Sequence, residues 1–177
     1  MINGKLLLSI LALVILFLTF QSSVYAQSNY VLPYPSAMPG SIFYKLNLVK
    51  EQILKYWYFG DFGQFHYNLK QSDKYLVEAK TLFEYKQYLL GLQALKRSDK
   101  YFSNTLPYII KAQKEGKNIV QKQNLLKEAG LKHINVINSI KEEIPEIFIW
   151  RPENSLSSRL DLKNAVQRSI SIRKKYL

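Results

Sequence analysis

Apolar residues along this chain follow two patterns. Leu6 to Phe20 is an apolar run that only Ser9 and Thr19 interrupt, and from Ser41 onward apolar residues recur at helical spacing. Leu46, Val49, Ile53 and Tyr56 fall at i, i+3, i+7 and i+10, which predicts one face of a first helix ending at Gly60. Phe62, Phe65, Leu69, Ser72, Leu76, Ala79 and Phe83 alternate steps of three and four, the cleanest stripe in the sequence. Asp61 and Gln64 fit a capping box at the start of this second helix.

A turn over 84–87 reverses the chain. Tyr88, Leu92, Leu95, Phe102, Leu106 and Ile109 then mark a third helix, which Pro107 should kink or split and Gly116 should end. Together these predict an antiparallel helical hairpin over about 61–115. A fourth helix is expected over about 118–144, with Ile119, Leu126, Ala129, Val136, Ile137, Ile140 and Ile144 on its apolar side. Ile147–Trp150 is too short to assign. Ser158 and Asp161 fit a capping box for a last helix over about 158–176. No alternating run of strand type is convincing, so the expected class is all-α.

The first apolar run is an export signal rather than part of that bundle. Lys5 precedes it, its 15 residues fall short of the roughly 20 a spanning helix needs, and Val24-Tyr25-Ala26 offers a small-x-small cleavage site. The working protein is therefore expected to begin at Gln27, outside the cytoplasmic membrane, secreted or periplasmic; an uncleaved leader would tether it there. Residues 27–40 hold Pro33, Pro35, Pro39 and Gly40, which forbid a helix and predict an extended strap. The rest, 41–177, has the size of one domain.

Composition narrows the chemistry. No cysteine is present, which excludes disulfides, thiol catalysis and Cys-based zinc sites. The net charge of +12 draws a protein outside the membrane toward anionic lipid or acidic polymer. His66 and His133 have no acidic or histidine partner at i+3 or i+4, so both are read as packing residues, and no metal or cofactor is expected. Glu142 and Glu143 point about 100° apart on a helix, and Glu78 has no evident second carboxyl, so a wall-cleaving hydrolase lacks its paired acids.

One octapeptide recurs. Leu69-Lys70-Gln71-Ser72-Asp73-Lys74-Tyr75-Leu76 returns 26 residues later as Leu95-Lys96-Arg97-Ser98-Asp99-Lys100-Tyr101-Phe102. Two copies do not make a solenoid. The echo instead predicts that Ser72, Asp73, Ser98 and Asp99 meet across the hairpin as a structural polar layer, joined to tyrosine hydroxyls or lysines.

Tyr30-Val31-Leu32-Pro33-Tyr34-Pro35, Met38-Pro39 and Phe43-Tyr44-Lys45-Leu46 lead into a hairpin carrying Tyr75-Leu76-Val77-Glu78-Ala79 and Glu84-Tyr85-Lys86-Gln87-Tyr88. Over about 30–111 this order resembles a bacterial family of extracytoplasmic helical domains with no assigned function. Ser36 stands where that family often has glycine, and Asp73-Lys74 where it prefers an arginine-leucine context. The resemblance implies a secreted or membrane-tethered helical domain and supplies no catalytic residues.

Two candidate surfaces remain. Arg159, Lys163, Arg168, Arg173, Lys174 and Lys175 make the last helix a basic candidate for an anionic surface. Tyr56, Trp57, Tyr58 and Phe59 form an aromatic patch that either plugs the end of the bundle or offers a stacking platform. The expected function is a non-catalytic binding or scaffold protein of the cell envelope, with an envelope protein or an anionic polymer or lipid as partner. The alternative is a purely electrostatic binder of such polymer, lipid or DNA, nucleic acid being the least expected; a hydrolase comes last. No small-molecule substrate is indicated.

Overall fold

Two glycines punctuate the chain where its helices change direction. The computed structural model describes residues 30–177 apart from Ser36 and Ser155, so the leader and the first residues of the strap lie outside the described residues. The elements are α1 (Ile42–Trp57), α2 (Gly60–Glu84), α3 (Tyr88–Ser103), α4 (Thr105–Lys114), α5 (Val120–Glu143), β1 (Ile147–Trp150), β2 (Ser158–Asp161) and α6 (Leu162–Lys174). Gly60 and Gly116 take positive φ, +67° and +76°, at the α1–α2 corner and after α4. The class is all-α with one small hairpin.

α2 is the central element, packed by α3, α4 and α5, and α1 is tied to it by polar side-chain contacts. α6 lies against α3 and α5. Two apolar clusters result. One gathers Leu76, Leu82, Phe83, Leu95, Ile137, Ile140, Leu162 and Val166; the other gathers Phe65, Leu69, Phe102, Ile109 and Leu126. Among its described residues the strap carries neither helix nor strand, and it lays Tyr30 on the second cluster and Leu32 and Met38 on the first. Tyr34 projects into solvent.

Several boundaries differ from those read in the sequence. The third helix breaks at Asn104, three residues ahead of Pro107, which places the proline in the first turn of α4, where a missing N–H leaves no bond unmade. The Asp61–Gln64 box does not form. Asp61 instead pairs with Lys111 and Lys117, each at 3.0 Å, while Gln64 Nε2 donates to the carbonyls of Lys55 and Tyr58 and closes the end of α1.

Ser158 does not cap a helix either, because 158–161 is β2, antiparallel to β1 with Phe148 opposite Leu160. The alternation in Ile147-Phe148-Ile149-Trp150 turns Phe148 onto Tyr88, ring centroids 4.8 Å apart. Asp161 then caps α6 alone, Oδ1 accepting from Asn164 N at 3.2 Å.

Candidate functional site

The first helix is attached the wrong way round for a core helix. Its inner side carries Tyr44, Asn47, Leu48, Glu51 and Leu54, and these are the residues that α2 covers wholly or in part. The attachment is polar. Tyr44 Oη donates to Glu78 at 3.0 Å and accepts from Arg97 Nη1 at 3.0 Å. Glu51 pairs with Lys74 and accepts from Tyr75 Oη at 3.1 Å. Tyr67 Oη reaches the Glu51 carbonyl at 3.2 Å.

The stripe Leu46, Val49, Ile53 and Tyr56, read in the sequence as one face of a first helix, faces solvent. With Ile42, Phe43, Trp57 and Phe59 it forms a contiguous outward surface whose members are 57–81% exposed. Val49, Gln52, Ile53, Tyr56, Trp57 and Phe59 enclose a shallow groove of about 550 Å³. Of the sequence-predicted aromatic patch, Tyr56, Trp57 and Phe59 are outside, whereas Tyr58 turns in and packs on Tyr67 with centroids 5.7 Å apart.

Magnitudes make this orientation informative. A net hydrogen bond contributes about 0.5–1.5 kcal/mol. Full burial of one large apolar side chain contributes about 1.5–3 kcal/mol. Turning seven or eight such side chains inward would outweigh the polar contacts, had α2 offered an apolar face to receive them. It does not: Gln71, Lys74, Tyr75 and Glu78 stand on that side. Patches of this extent are uncommon on monomers and mark surfaces that meet something else.

Inside the bundle lies a second constellation, between the two apolar clusters. His133 Nε2 is 2.7 Å from Asp73 Oδ1, and Tyr30 Oη donates to Asp73 Oδ2 at 2.6 Å. Arg173 donates to His133 Nδ1 at 3.1 Å, to Asp99 Oδ1 at 2.5 Å and to Ser98 Oγ at 2.8 Å. Ser169 Oγ donates to the same Asp99 oxygen at 2.5 Å. Ser72 and Ser98 exchange bonds, each Oγ donating to the other's carbonyl at 3.0 and 2.8 Å.

The echo thus brings its serines and aspartates together, with Tyr75 and Tyr101 stacked at 5.7 Å and 5°. A shift constant in sequence becomes a local two-fold between antiparallel helices. The partners that complete the layer are Arg173 and His133, where lysines were expected, and a single tyrosine hydroxyl from the strap.

An aspartate and a histidine in contact invite comparison with the base of a hydrolase. His133 is fully enclosed, and Asp73 and Arg173 occupy its two nitrogens. Glu78, the carboxyl considered for wall cleavage, is buried beneath Tyr44, and burial raises its pKa. No cluster of metal-capable side chains occurs among the described residues.

The basic candidate surface changes composition. Arg173 has no exposure and is spent on the core network, so it cannot reach an anionic surface. Position 173 falls on the inner side of α6 with Val166, Ser169 and Ile170. Lys163, Arg168, Lys174 and Lys175 line the outer side of α6, and Arg159 is exposed on β2.

No family model, curated protein or solved structure matches this chain.

Proposed function

We propose that this is a non-catalytic docking or scaffold protein of the extracytoplasmic space, and that it meets its partner through the outer face of α1. What carries the reading is the inverted attachment of that helix: polar side in, apolar side out. His133 and Asp73 are buried and paired with each other, and Glu78 lies under Tyr44. The bundle therefore serves as a rigid base, and α1 as the part that touches.

A second reading draws on the outer side of α6, which presents cations and no carboxylate. Contact with an anionic polymer through Lys163, Arg168, Lys174 and Lys175 would add attraction without the apolar helix.

A photo-crosslinking residue introduced at Ile53 tests the first reading, with the same residue at Lys163 as its counterpart. Irradiation in native envelopes is expected to give an adduct from position 53. Adducts from 163 alone would transfer the function to α6, and none from 53 would remove the docking face.

A further inference from the structure

The charges around the outer face of α1 restrict what can cover it. Lys45, Lys50 and Lys55 are exposed, while the helix's one acidic residue, Glu51, is turned inward onto Lys74. At 100° per residue, the apolar arc runs from Tyr56 through Val49, Ile53 and Leu46 to Trp57 and Phe43. Lys45 borders it beside Tyr56, and Lys50 falls within it between Trp57 and Phe43, with Lys70 beside Lys50 at the rim of the neighbouring cleft. The arc is fringed by cations and carries no exposed carboxylate.

A second copy of the chain fits this fringe badly. An isologous contact lays the patch on itself, so lysines would oppose lysines with nothing acidic between them. A surface of phosphate headgroups over an apolar interior fits it on both counts. Aromatic rings stand at both ends of the helix, Phe43 at one and Tyr56, Trp57 and Phe59 at the other. Tyrosine and tryptophan favour the depth at which headgroups give way to acyl chains. An amphipathic helix with lysines beside an aromatic and aliphatic face lies in that plane.

We infer that α1 is an interfacial anchor for an anionic lipid bilayer. Ile42, Leu46, Val49 and Ile53 enter the acyl boundary, Trp57 sits at its edge, and Lys45 and Lys50 hold lipid phosphates. The helix is about 24 Å long and lies flat, since a spanning helix needs about 30 Å of apolar length. This inference rests on the docking reading and names its partner.

The full chain carrying Trp150→Phe leaves Trp57 as its sole tryptophan, a reporter on α1 itself. It is titrated with vesicles of phosphatidylglycerol and phosphatidylcholine, and with phosphatidylcholine alone, with brominated acyl chains as quenchers. On the anionic vesicles Trp57 emission is expected to shift to the blue and be quenched. Ile53→Asp should weaken partitioning at least tenfold with unchanged circular dichroism, because Ile53 is 62% exposed.

Replacing Lys45 and Lys50 together by Gln should cut the preference for anionic vesicles about tenfold and reduce its salt dependence. Trp57 left unquenched, or Ile53→Asp binding like the parent, would overturn the inference. So would Trp57 becoming buried by self-association in the absence of lipid. If crosslinks from Ile53 then lead to a protein, only the bilayer is refuted; if they lead nowhere, the docking face is refuted with it.

Discussion

Arg173 Nε stands 3.1 Å from His133 Nδ1, and that contact decides the protonation of the imidazole. A guanidinium only donates, so Nδ1 must keep its lone pair and the ring proton resides on Nε2, facing Asp73. The histidine is neutral, and a second proton would have to displace Arg173.

Stability should therefore fall as acid is added below neutrality. Burial lowers the His133 pKa beneath its usual 6.5, Asp73 opposes that, and the Arg173 charge reinforces it. The unfolded chain takes up a proton near pH 6.5 that the folded chain refuses, so stability is complete above that pH and lost as pH drops through it. His66, lowered by burial and by Lys122, acts with the same sign. His133→Gln, able to donate to Asp73 and accept from Arg173, should flatten most of the decline in urea midpoint between pH 7 and pH 5. An unchanged slope would mean that other groups control it.

Arg173 and Lys174 are neighbours with opposite fates. Arg173→Met should cost about 3–5 kcal/mol in urea unfolding, because half-buried Asp99 loses its cation and His133 and Ser98 lose a buried donor. Lys174→Met should stay within about 0.5 kcal/mol, as is usual for solvated surface positions. Equal effects would contradict the placement of Arg173 inside.

Asp61 gives a second pH signature at lower values. Hydrogen bonds from Lys117 and Lys111 pull its pKa down to about 2 from 3.8. The contribution is complete above the unfolded value and disappears as pH falls from about 4 to 2. Asp61→Asn should shift the acid-unfolding midpoint upward and remove its dependence on Lys111 and Lys117, read by far-ultraviolet circular dichroism.

Two helical glycines should resist alanine despite its better helix propensity. A Cβ at Gly63 would lie 2.9 Å from the carbonyl carbon of Tyr58, and one at Gly91 would lie 3.0 Å from the Phe83 ring. Gly→Ala inside a helix gains about 0.5–1 kcal/mol, and overpacking costs about 1–3 kcal/mol. Gly63→Ala should be the worse, since backbone cannot rotate away as a ring can. It should also disturb α1, seen as a change in Trp57 emission.

Retention on an anionic polymer through α6 should collapse with salt, as screening shortens to about 3 Å at 1 M. Neutralising Lys163, Arg168, Lys174 and Lys175 should abolish whatever part of the retention α6 supplies. Binding that survives both changes would belong to an apolar surface.

Much of the bundle was legible because period and punctuation are local. The stripe of α2, the turn before Tyr88, the split near Pro107 and the span of α5 follow from residues a few positions apart. The β1–β2 hairpin was missed because four residues are too few to show a period, and Ser158–Asp161 spelled a cap equally well. The meeting of Ser72 with Ser98 was legible through the repeated octapeptide. Its partners Arg173 and His133 lie 75 and 35 residues beyond Ser98, and no local spacing reports a pairing at that range.

By itself the sequence determined the helical class, the hairpin, and which side of each helix is apolar, since those depend on spacing along one chain. Only the packed structure decided which side of α1 turns inward and which arginine of the last helix is enclosed. Both outcomes depend on what the neighbouring helices present, and a polar side of α2 facing a polar side of α1 leaves the apolar side no place but outside.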